Sequence, residues 1–390
     1  MKQVYLDYAA TTPCHNKVIE VVEKYMKTEF ANPSSQHVMG KKAQYAVYQA
    51  QSKIAASIGA QKEEIIFTSG ATESNNIALL GAIDYHEKEP VNVILSPIDH
   101  KSILGVGKEL QRRGIIVKYV DINRDGTICL DSLSSLLDDD TRVVSFAYVN
   151  SEIGTIQPIH EISALCRRYR TLIHVDAVQA FGKILIDVKE LDIDALSLSG
   201  HKIYGPKGIG VLYVNQHKQE YFRPLLFGGE QTYLRSGTLP TSLIAGMGVA
   251  SDIAMLELEE NYKKAMNLRT IVVNRIQQEI PFSRVNVCIE NSIPHIINIM
   301  IPKISSETLI AGMRTVSISS GSACNSNSLE PSYVLQAIGL SREEANSSIR
   351  ISISPYLSEE KILYAVDEII AKIKDIYCVE QVDLSTFTGH

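Results

Sequence analysis

The stretch Thr171-Leu172-Ile173-His174-Val175-Asp176-Ala177 predicts an apolar strand that ends on a carboxylate. A second apolar run, Ala195–Ser199, leads in a similar way into Gly200, His201 and Lys202. Strands that are apolar on both faces are typical of a parallel sheet that helices cover on both sides. In open sheets of that kind, ligands bind beyond the carboxyl ends of the strands. Asp176 and Lys202 are therefore candidate site residues.

The same alternation of β-branched runs with helical periods extends over residues 60–215. It predicts an α/β domain with a mostly parallel, seven-stranded sheet. The candidate strands are Glu64–Thr68, Asn92–Ser96, Ile115–Val120, Arg142–Val149, Leu172–Asp176, Ala195–Ser199 and Ile209–Val214. The helical stretches between them include Thr72–His86, His100–Arg113 and Ile159–Tyr169.

The C-terminal part predicts a second, smaller α+β domain. A long helical pattern from Thr241 to Ile280 ends at Pro281, and short strands and helices follow it. These are strands near Val285–Ile289, Ile296–Ile301 and Ser348–Ser354, and helices near Ser305–Met313, Glu330–Ile338 and Ser358–Ile373. We expect residues 14–255 to form the large domain, residues 1–13 with 256–376 the small one, and residues 377–390 a tail.

Composition narrows the class of protein. The 390 residues are 45% hydrophobic and 21% charged, which is ordinary for a globular chain. The net charge of −6, without a basic block, argues against a nucleic-acid or membrane-binding surface. Six scattered cysteines contain no Cys-x-x-Cys pair, so we expect no metal site and no disulfide framework. We find no signal peptide or run of about 18 apolar residues, and expect a reducing, cytoplasmic location.

Each candidate residue also has an ordinary structural interpretation. Asp176 alone is compatible with a helix cap, Lys202 with a solvated turn, and His100 with a structural role. The combination points further, because a carboxylate beside a pyridine nitrogen and a Schiff-base lysine are what pyridoxal phosphate needs from a protein. The strand–turn–helix pattern of residues 68–76 adds a helix N-terminus that can bind the phosphate.

Nearly the whole chain, from Tyr5 to Arg350, resembles the cysteine desulfurases of the iron–sulfur-cluster and nitrogen-fixation group. These enzymes have the aspartate-aminotransferase-like fold, fold type I of the pyridoxal-phosphate enzymes. The motifs that carry the resemblance are Tyr5-Leu6-Asp7-Tyr8-Ala9-Ala10-Thr11-Thr12, Thr68-Ser69-Gly70-Ala71-Thr72-Glu73-Ser74-Asn75-Asn76, His174-Val175-Asp176-Ala177-Val178-Gln179, Ser199-Gly200-His201-Lys202-Ile203-Tyr204-Gly205-Pro206-Lys207-Gly208, Arg235-Ser236-Gly237-Thr238 and Ser319-Ser320-Gly321-Ser322-Ala323-Cys324. The segment 226–238 also resembles the desulfurases of DNA-phosphorothioation systems.

The resemblance implies a role for each matching residue. Lys202 forms the Schiff base, Asp176 pairs with the pyridine nitrogen, His100 stacks on the ring, and Gln179 bonds the ring hydroxyl. The phosphate is bound by Ala71, Thr72, Ser199 and His201, and by Thr238 from the neighbouring subunit of a homodimer. The substrate carboxylate is bound by Arg350 and Asn32. One position departs from the family, which usually has Asn-Asn-Glu where this chain has Asn150-Ser151-Glu152.

The segment around Cys324 is too small and polar to form core, so we expect an exposed thiol on a loop. The resemblance implies that this thiolate takes the sulfur of L-cysteine, which leaves L-alanine and a persulfide that passes to an acceptor protein. We expect Cys129, Cys166 and Cys288 to be buried and assign no role to the other five cysteines.

Two alternatives stay open at this stage. One is another reaction on the same fold, either selenocysteine lysis or transamination. The other is a binding platform without the cofactor. The acceptor is also open: the resemblance implies iron–sulfur assembly or tRNA thiolation as the common destinations, and the likeness of segment 226–238 keeps DNA phosphorothioation as a third. The acidic net charge predicts that a partner protein makes any contact with nucleic acid.

Overall fold

The computed structural model describes residues 3–84, 91–229, 232–320 and 330–379. The strands are β1 (Val4–Tyr5), β2 (Ile65–Thr68), β3 (Asn92–Leu95), β4 (Ile116–Tyr119), β5 (Thr141–Ala147), β6 (Leu172–Asp176), β7 (Ala195–Ser199), β8 (Gly210–Val214), β9 (Arg284–Val285), β10 (Ile296–Met300), β11 (Val316–Ser317), β12 (Ser319–Ser320) and β13 (Ser348–Ser352). The helices are α1 (Asn16–Lys27), α2 (Val38–Ala56), α3 (Ala71–Asp84), α4 (Lys101–Arg112), α5 (Leu130–Leu136), α6 (Ile159–Cys166), α7 (Thr241–Leu256), α8 (Leu258–Glu279), α9 (Ser306–Gly312), α10 (Tyr333–Ala337), α11 (Arg342–Asn346) and α12 (Glu359–Val379).

The large sheet has seven strands in the order β2-β8-β7-β6-β5-β3-β4. All neighbouring pairs are parallel except the two that β8 makes with β2 and β7. The prediction of an α/β fold with a mostly parallel seven-stranded sheet is thus confirmed. Because β6 and β7 are parallel neighbours inside the sheet, Asp176 and the residues after Ser199 emerge at the same edge.

Alternating side chains of the strands pack on opposite faces of this sheet. On β2, Ile66 packs with the apolar side chains of α3 and α4, whereas Ile65 and Phe67 pack on the face that α2 and α7 cover. Both sets are almost completely buried, which explains why the strands are apolar on both faces. The sheet edge that carries Asp176 is therefore held rigidly between two helical layers.

A second cluster of buried side chains lies around the sheet β12-β13-β10-β9 and the helices α8 and α12. The N-terminal residues belong to it, because β1 pairs with β11 and Asp7 bridges to Ser352. The division into residues 14–255 and residues 1–13 with 256–376 stays a prediction, which the two separate clusters support.

The prediction of one long helix from Thr241 to Ile280 is wrong in one respect. The helix breaks at Glu257, and α7 and α8 meet at an angle of 69°. The physical reason is that α7 packs on the core of the large sheet, whereas α8 packs on the second cluster. At the other end of the chain, α12 continues past Ile373 to Val379 because Ile376 and Tyr377 are buried. Residues 380–390 of the predicted tail lie outside the described residues.

Within the described ranges, no single helix has the length and apolar character to cross a membrane. Only α7 and α8 taken together have that length and apolar character, and the pair is bent at the break between them.

Buried histidines predict acid sensitivity of the fold. The ring of His174 on β6 bonds the hydroxyls of Ser145 (2.8 Å) and Ser197 (2.9 Å), and burial lowers its pKa to about 3. Below pH ~6.5 the unfolded chain binds a proton that the folded chain does not, so the free energy of unfolding falls by up to about 1.4 kcal/mol per pH unit from this group. We expect His174→Gln to reduce the loss of stability between pH 7 and 5.

Urea unfolding at both pH values measures this effect. The matched control is His217→Gln, which removes an exposed histidine ring instead of a buried one. Equal pH slopes for His174→Gln and the unsubstituted protein would contradict the prediction.

Candidate active site

A cavity of about 580 Å³ opens at the carboxyl edge of the large sheet, and we call it the sheet-edge cavity. Most of the residues predicted for the site line it. They are Ala71, Thr72, His100, Asp176, Gln179, Ser199, His201, Lys202 and Arg350. The topology therefore brings together residues that are far apart in the chain: Ala71 and Arg350 are separated by 279 positions.

Asp176 is the last residue of β6 and is 6% exposed. Its two oxygens accept hydrogen bonds from the side-chain amide of Asn75 (2.9 Å) and the main-chain N–H of Val178 (3.1 Å). Both donors are neutral, so the carboxylate keeps its charge available for a cation in the cavity. This arrangement suits a group that must keep a ring nitrogen protonated.

Lys202 follows β7 and reaches across to the N-terminal segment. Its ammonium donates to the main-chain oxygens of Ala9 (2.6 Å) and Ala10 (2.7 Å). The same segment is fixed to the turn after β7 on its other side, where the Thr12 N–H donates to the carbonyl of His201 at 3.0 Å. These main-chain acceptors help to hold the lysine at the cavity wall.

The turn between β2 and α3 forms the anion-binding end of the cavity. Ala71 and Thr72 open a helix of 14 residues, whose first N–H groups have no partner within the helix. The turn lies against β8 so closely that a Cβ on Gly210 would come within 2.6 Å of the main chain of Gly70. A side chain at Gly210 would therefore push the anion-binding turn away from the sheet edge.

His201 lines the same end of the cavity beside Ser199. Burial, together with the nearby Lys202 and Lys207, lowers the pKa of His201 to about 4. Its ring is therefore neutral at pH 7 and bonds Thr11 through Nδ1 at 3.1 Å. A neutral imidazole can donate one hydrogen bond to an anion without adding a charge.

His100 is joined to Asp176 through a chain of hydrogen bonds. The N–H of Ser102 donates to His100 Nδ1 at 3.1 Å, so the ring proton of the neutral imidazole is on Nε2. Ser102 Oγ contacts both His100 Nδ1 (2.8 Å) and Asn75 Nδ2 (2.9 Å), and Asn75 contacts Asp176. This chain fixes the position and tautomer of the predicted stacking residue.

Asn75, Ser102 and Asp99 were not assigned roles from the sequence. Asp99 is completely buried, and burial raises the pKa of its carboxyl well above the usual range, with repulsion from Asp176 adding to the effect. It accepts from the main-chain N–H of Ala147 at 2.8 Å. The sequence contains only weak signals for a role of these residues. Asn75 lies inside the motif of residues 68–76, and Asp99 and Ser102 lie close to His100 in the chain.

Arg350 lies on β13 and is 5% exposed. Its guanidinium donates to Asp7 Oδ1 (2.7 Å) and to the main-chain oxygen of Ser151 (3.0 Å). Its Nε is buried without a hydrogen-bond partner among the described residues. The guanidinium is thus held at the cavity wall with donor capacity left for a carboxylate. Ser151, the position that departs from the family, lines the same cavity.

Two of the predicted site residues, Asn32 and Thr238, do not line the sheet-edge cavity. Asn32 is exposed, and its side-chain oxygen accepts from the N–H of Ser34. Thr238 is also exposed and does not line the sheet-edge cavity of its own chain. Cys324 lies outside the described residues. The prediction that Cys288 is buried is wrong: the strand β9 ends at Val285, and Cys288 is exposed after it. Of the other two cysteines predicted to be buried, Cys166 is fully buried and Cys129 is half-buried.

Within the described residues, no group of three or more histidine, cysteine, aspartate or glutamate side chains is placed to hold a metal ion.

A family model described as aminotransferase class-V matches residues 4–364. The chain belongs to the class-V aminotransferase family. Among curated members, the cysteine desulfurase IscS of Vibrio vulnificus (strain YJ016) is 42% identical over 395 residues, covering 98% of each chain. These values confirm the resemblance to the iron–sulfur-cluster group.

Two solved structures of class-V relatives agree with this assignment. A "NifS-like protein" superposes with a TM-score of 0.89 at 34% identity, covering 96% of this chain and 100% of that one. A structure described as SspA in complex with cysteine superposes with a TM-score of 0.81 at 38% identity, covering 91% of this chain and 99% of the other. The architecture is therefore that of this family over almost the whole chain.

The amide of Asn75 predicts a measurable contribution to stability. We expect Asn75→Leu to lower the free energy of unfolding by about 1–3 kcal/mol, because the buried Asp176 and the half-buried Ser102 lose a donor. The matched control is Asn76→Ala, since the side chain of Asn76 donates to the Thr72 carbonyl in an exposed hydrogen bond. Urea unfolding of the two variants checks this, and equal losses would contradict it.

Proposed function

We propose that this protein is a cysteine desulfurase that uses pyridoxal phosphate to remove sulfur from L-cysteine. L-Alanine and a persulfide on Cys324 are the products, and the sulfur passes from Cys324 to an acceptor protein. The observation that carries the proposal is the convergence of Asp176, Lys202 and His100 on one cavity at adjacent strand ends. The relatives named as cysteine desulfurases support the choice of reaction within the family.

The residues around the cavity fit pyridoxal phosphate. The buried Asp176 carboxylate suits a protonated pyridine nitrogen, and the amine of Lys202 suits the aldehyde carbon. Ala71, Thr72, Ser199 and His201 form one end of the cavity and would hold the phosphate. His100 would lie on the ring, and Gln179 would bond its hydroxyl. When bound, the cofactor supplies an electron sink for the carbanion at the substrate Cα.

Arg350 would bind the substrate carboxylate, because its partly unused guanidinium points to the cavity. Asn32 lies outside the cavity lining of its own chain, so it would assist Arg350 only if substrate binding brings its loop to the cavity. With cofactor and substrate bound, Lys202 would be placed to move the proton at the substrate Cα, and His100 would be the second candidate for proton transfer. The Cys324 thiolate attacks the substrate sulfur, the Cβ–S bond breaks, and the three-carbon remainder takes up a proton before it leaves as L-alanine.

The anchor of the Cys324 segment supports this step. Ser319 and Ser320 of β12 pair with Arg350 and Ile349 of β13, directly beside the proposed carboxylate site. Cys324 is four residues further along the chain, a distance that spans at most about 14 Å when extended. The described chain before Cys324 therefore ends beside the proposed carboxylate site.

Cys324→Ser tests the proposed nucleophile. We expect alanine formation from cysteine to fall by at least about 100-fold, because no thiolate remains to accept the sulfur, while the visible absorbance of the bound cofactor persists. The matched control is Cys288→Ser, which removes another exposed thiol and leaves turnover unchanged. Retained turnover in Cys324→Ser, or turnover that a thiol alkylator does not affect, would favour an aminotransferase instead.

Two further outcomes would redirect the proposal. A purified protein without visible cofactor absorbance would indicate a binding platform. A faster reaction with selenocysteine than with cysteine, in direct competition, would identify a selenocysteine lyase. Neither alternative has an observation of its own in its favour.

The active unit in this proposal is a homodimer. Thr238 is exposed on its own chain, yet the loop that carries it is fixed beside α3 by the ion pair of Arg235 with Glu73 (3.1 Å). Phe227 on the same loop is 86% exposed and Phe30 is 67% exposed, so both are open to contact with a second copy. A second copy that covers these side chains would bring Thr238 to the other chain's phosphate.

Complementation tests this arrangement. Lys202→Ala and Thr238→Val are each expected to form inactive or weakly cofactor-binding homodimers. Their mixed dimer contains one intact site if Thr238 acts on the other chain, so mixing is expected to restore about half of the activity per dimer. Mixed dimers without recovered activity would place Thr238 at its own chain's cofactor.

The acceptor and the location complete the proposal. Iron–sulfur assembly, tRNA thiolation and DNA phosphorothioation are the three destinations that we propose for the sulfur, each reached through an acceptor protein in the cytoplasm. With a net charge of −6 we expect no salt-dependent binding of DNA by this chain itself. Identification of the protein that accepts sulfur from the Cys324 persulfide distinguishes the three.

A further inference from the structure

A second, smaller cavity lies behind Lys202, away from the sheet-edge cavity, and we call it the inner cavity. It holds about 30 Å³, enough for a water molecule. Ala9, Gln179 and Lys202 line both cavities, so they form the wall between them. Lys183 and His295 line only the inner one, and the Nδ1 atom of His295 is buried there without a partner among the described residues.

Lys183 is the unexpected residue in this place, because no step of the proposed reaction uses it. Its ammonium donates to Gln179 Oε1 (2.8 Å) and to the Gln179 main-chain oxygen (3.2 Å). No described carboxylate lies within ion-pair distance of it. A lysine held only by amide oxygens, with a second lysine nearby, is costly to keep charged. Such a placement calls for a functional reason.

The contacts of Lys183 fix the side chain of Gln179. Because the ammonium can only donate, the atom that faces it must be the amide oxygen. The amide nitrogen is thereby directed to the other side, where it donates to the Ala9 carbonyl at 2.9 Å. That carbonyl is also an acceptor for Lys202. Lys183, Gln179, Ala9 and Lys202 therefore form one connected set.

The backbone holds Lys183 in this position. Gly182, directly before it, has a φ of +71°, and a Cβ there would come within 2.8 Å of Ile203. The turn that carries Lys183 thus packs against the residue that follows Lys202 in the chain. A larger residue at 182 would be strained and would separate the two lysines.

We propose that Lys183 is a positioning residue that orients the Gln179 amide and disfavours a positive charge on the nitrogen of Lys202. The inference rests on the proposed function, because it concerns the lysine that would carry the cofactor. Like charges that share a low-dielectric site oppose each other's protonation. Burial, with the nearby Lys202, lowers the pKa of Lys183 to about 7, which is consistent with such an interaction.

The histidine and the tyrosines around the inner cavity are neutral near pH 7. Burial lowers the pKa of His295 to about 3, with Lys183 and Arg269 adding to the effect. Burial raises the pKa of Tyr8 and of Tyr204, and it raises that of Tyr356 to about 12. Glu257, which bonds Tyr356, is a carboxylate on this side. Lys202 is the cation that contributes to the lowered pKa of Lys183.

The test uses the holoenzyme and the visible absorbance of its bound cofactor, which reports whether the nitrogen at Lys202 carries a proton. The pH midpoint of that absorbance is measured for Lys183→Met, Lys183→Gln and Lys183→Arg. Loss of the neighbouring cation favours the protonated nitrogen, so Met and Gln are expected to raise the midpoint by about half a pH unit or more. Arginine keeps its charge at every pH and is expected to lower the midpoint.

A second readout separates orientation from charge. Glutamine can still donate to Gln179 Oε1 and methionine cannot, so loss of cofactor on dialysis is expected to be faster in Lys183→Met than in Lys183→Gln. The control is Lys189→Met, which removes an exposed lysine of the same segment and leaves both readouts unchanged.

An unchanged midpoint in Lys183→Met and Lys183→Gln, or a shift of the neutral variants and Lys183→Arg in the same direction, would overturn the proposal. If one variant does not fold, the comparison of the remaining two with the unsubstituted enzyme still decides it. An unsubstituted protein without visible absorbance would contradict the proposed function instead, so the two failures are distinguishable.

Discussion

The structure depends on the hydrogen bonds of one short segment near the N-terminus, residues 7–12, which includes a turn at residues 8–10. Asp7 pairs with Arg350, and the Ala9 N–H donates to Ser352, so one end is tied to the small sheet. The Ala9 carbonyl accepts from Lys202 and Gln179, and Thr12 bonds the turn after β7, so the other end is tied to the large sheet. Buried main-chain groups need partners, and here the partners are the site residues themselves.

Most charged side chains of the site are held by uncharged hydrogen-bond partners, several of which belong to residues 7–12. Asp176 is held by neutral donors, Lys202 by main-chain carbonyls and Lys183 by an amide. Arg350 is the exception, since its guanidinium meets Asp7. Neutral partners orient a charge without cancelling its field, which leaves the charge available for a bound ligand. The price is lower stability for the empty fold, most of all around the two lysines.

The sequence predicted those parts of the site that local pattern determines. Asp176 and Lys202 follow buried strands, and Ala71 and Thr72 begin a helix, so topology alone brings them to one edge. The supporting residues could not be found in this way. Asn75 contacts Asp176 across 101 positions, and the importance of Asp7 depends on a partner 343 positions away. The break at Glu257 escaped prediction for a similar reason, because it reflects which core each half of the helix packs on.

The path of residues 7–12 also has a consequence for how the protein is made. Asp7 and Arg350 are 343 positions apart, and β1 likewise pairs with the distant β11. The large sheet, with β2 to β8 contiguous in sequence, can form before these contacts. Contacts between distant parts of a chain form late and slowly. We therefore expect the large sheet to be present on the nascent chain before β13 ties residues 7–12 to the small sheet.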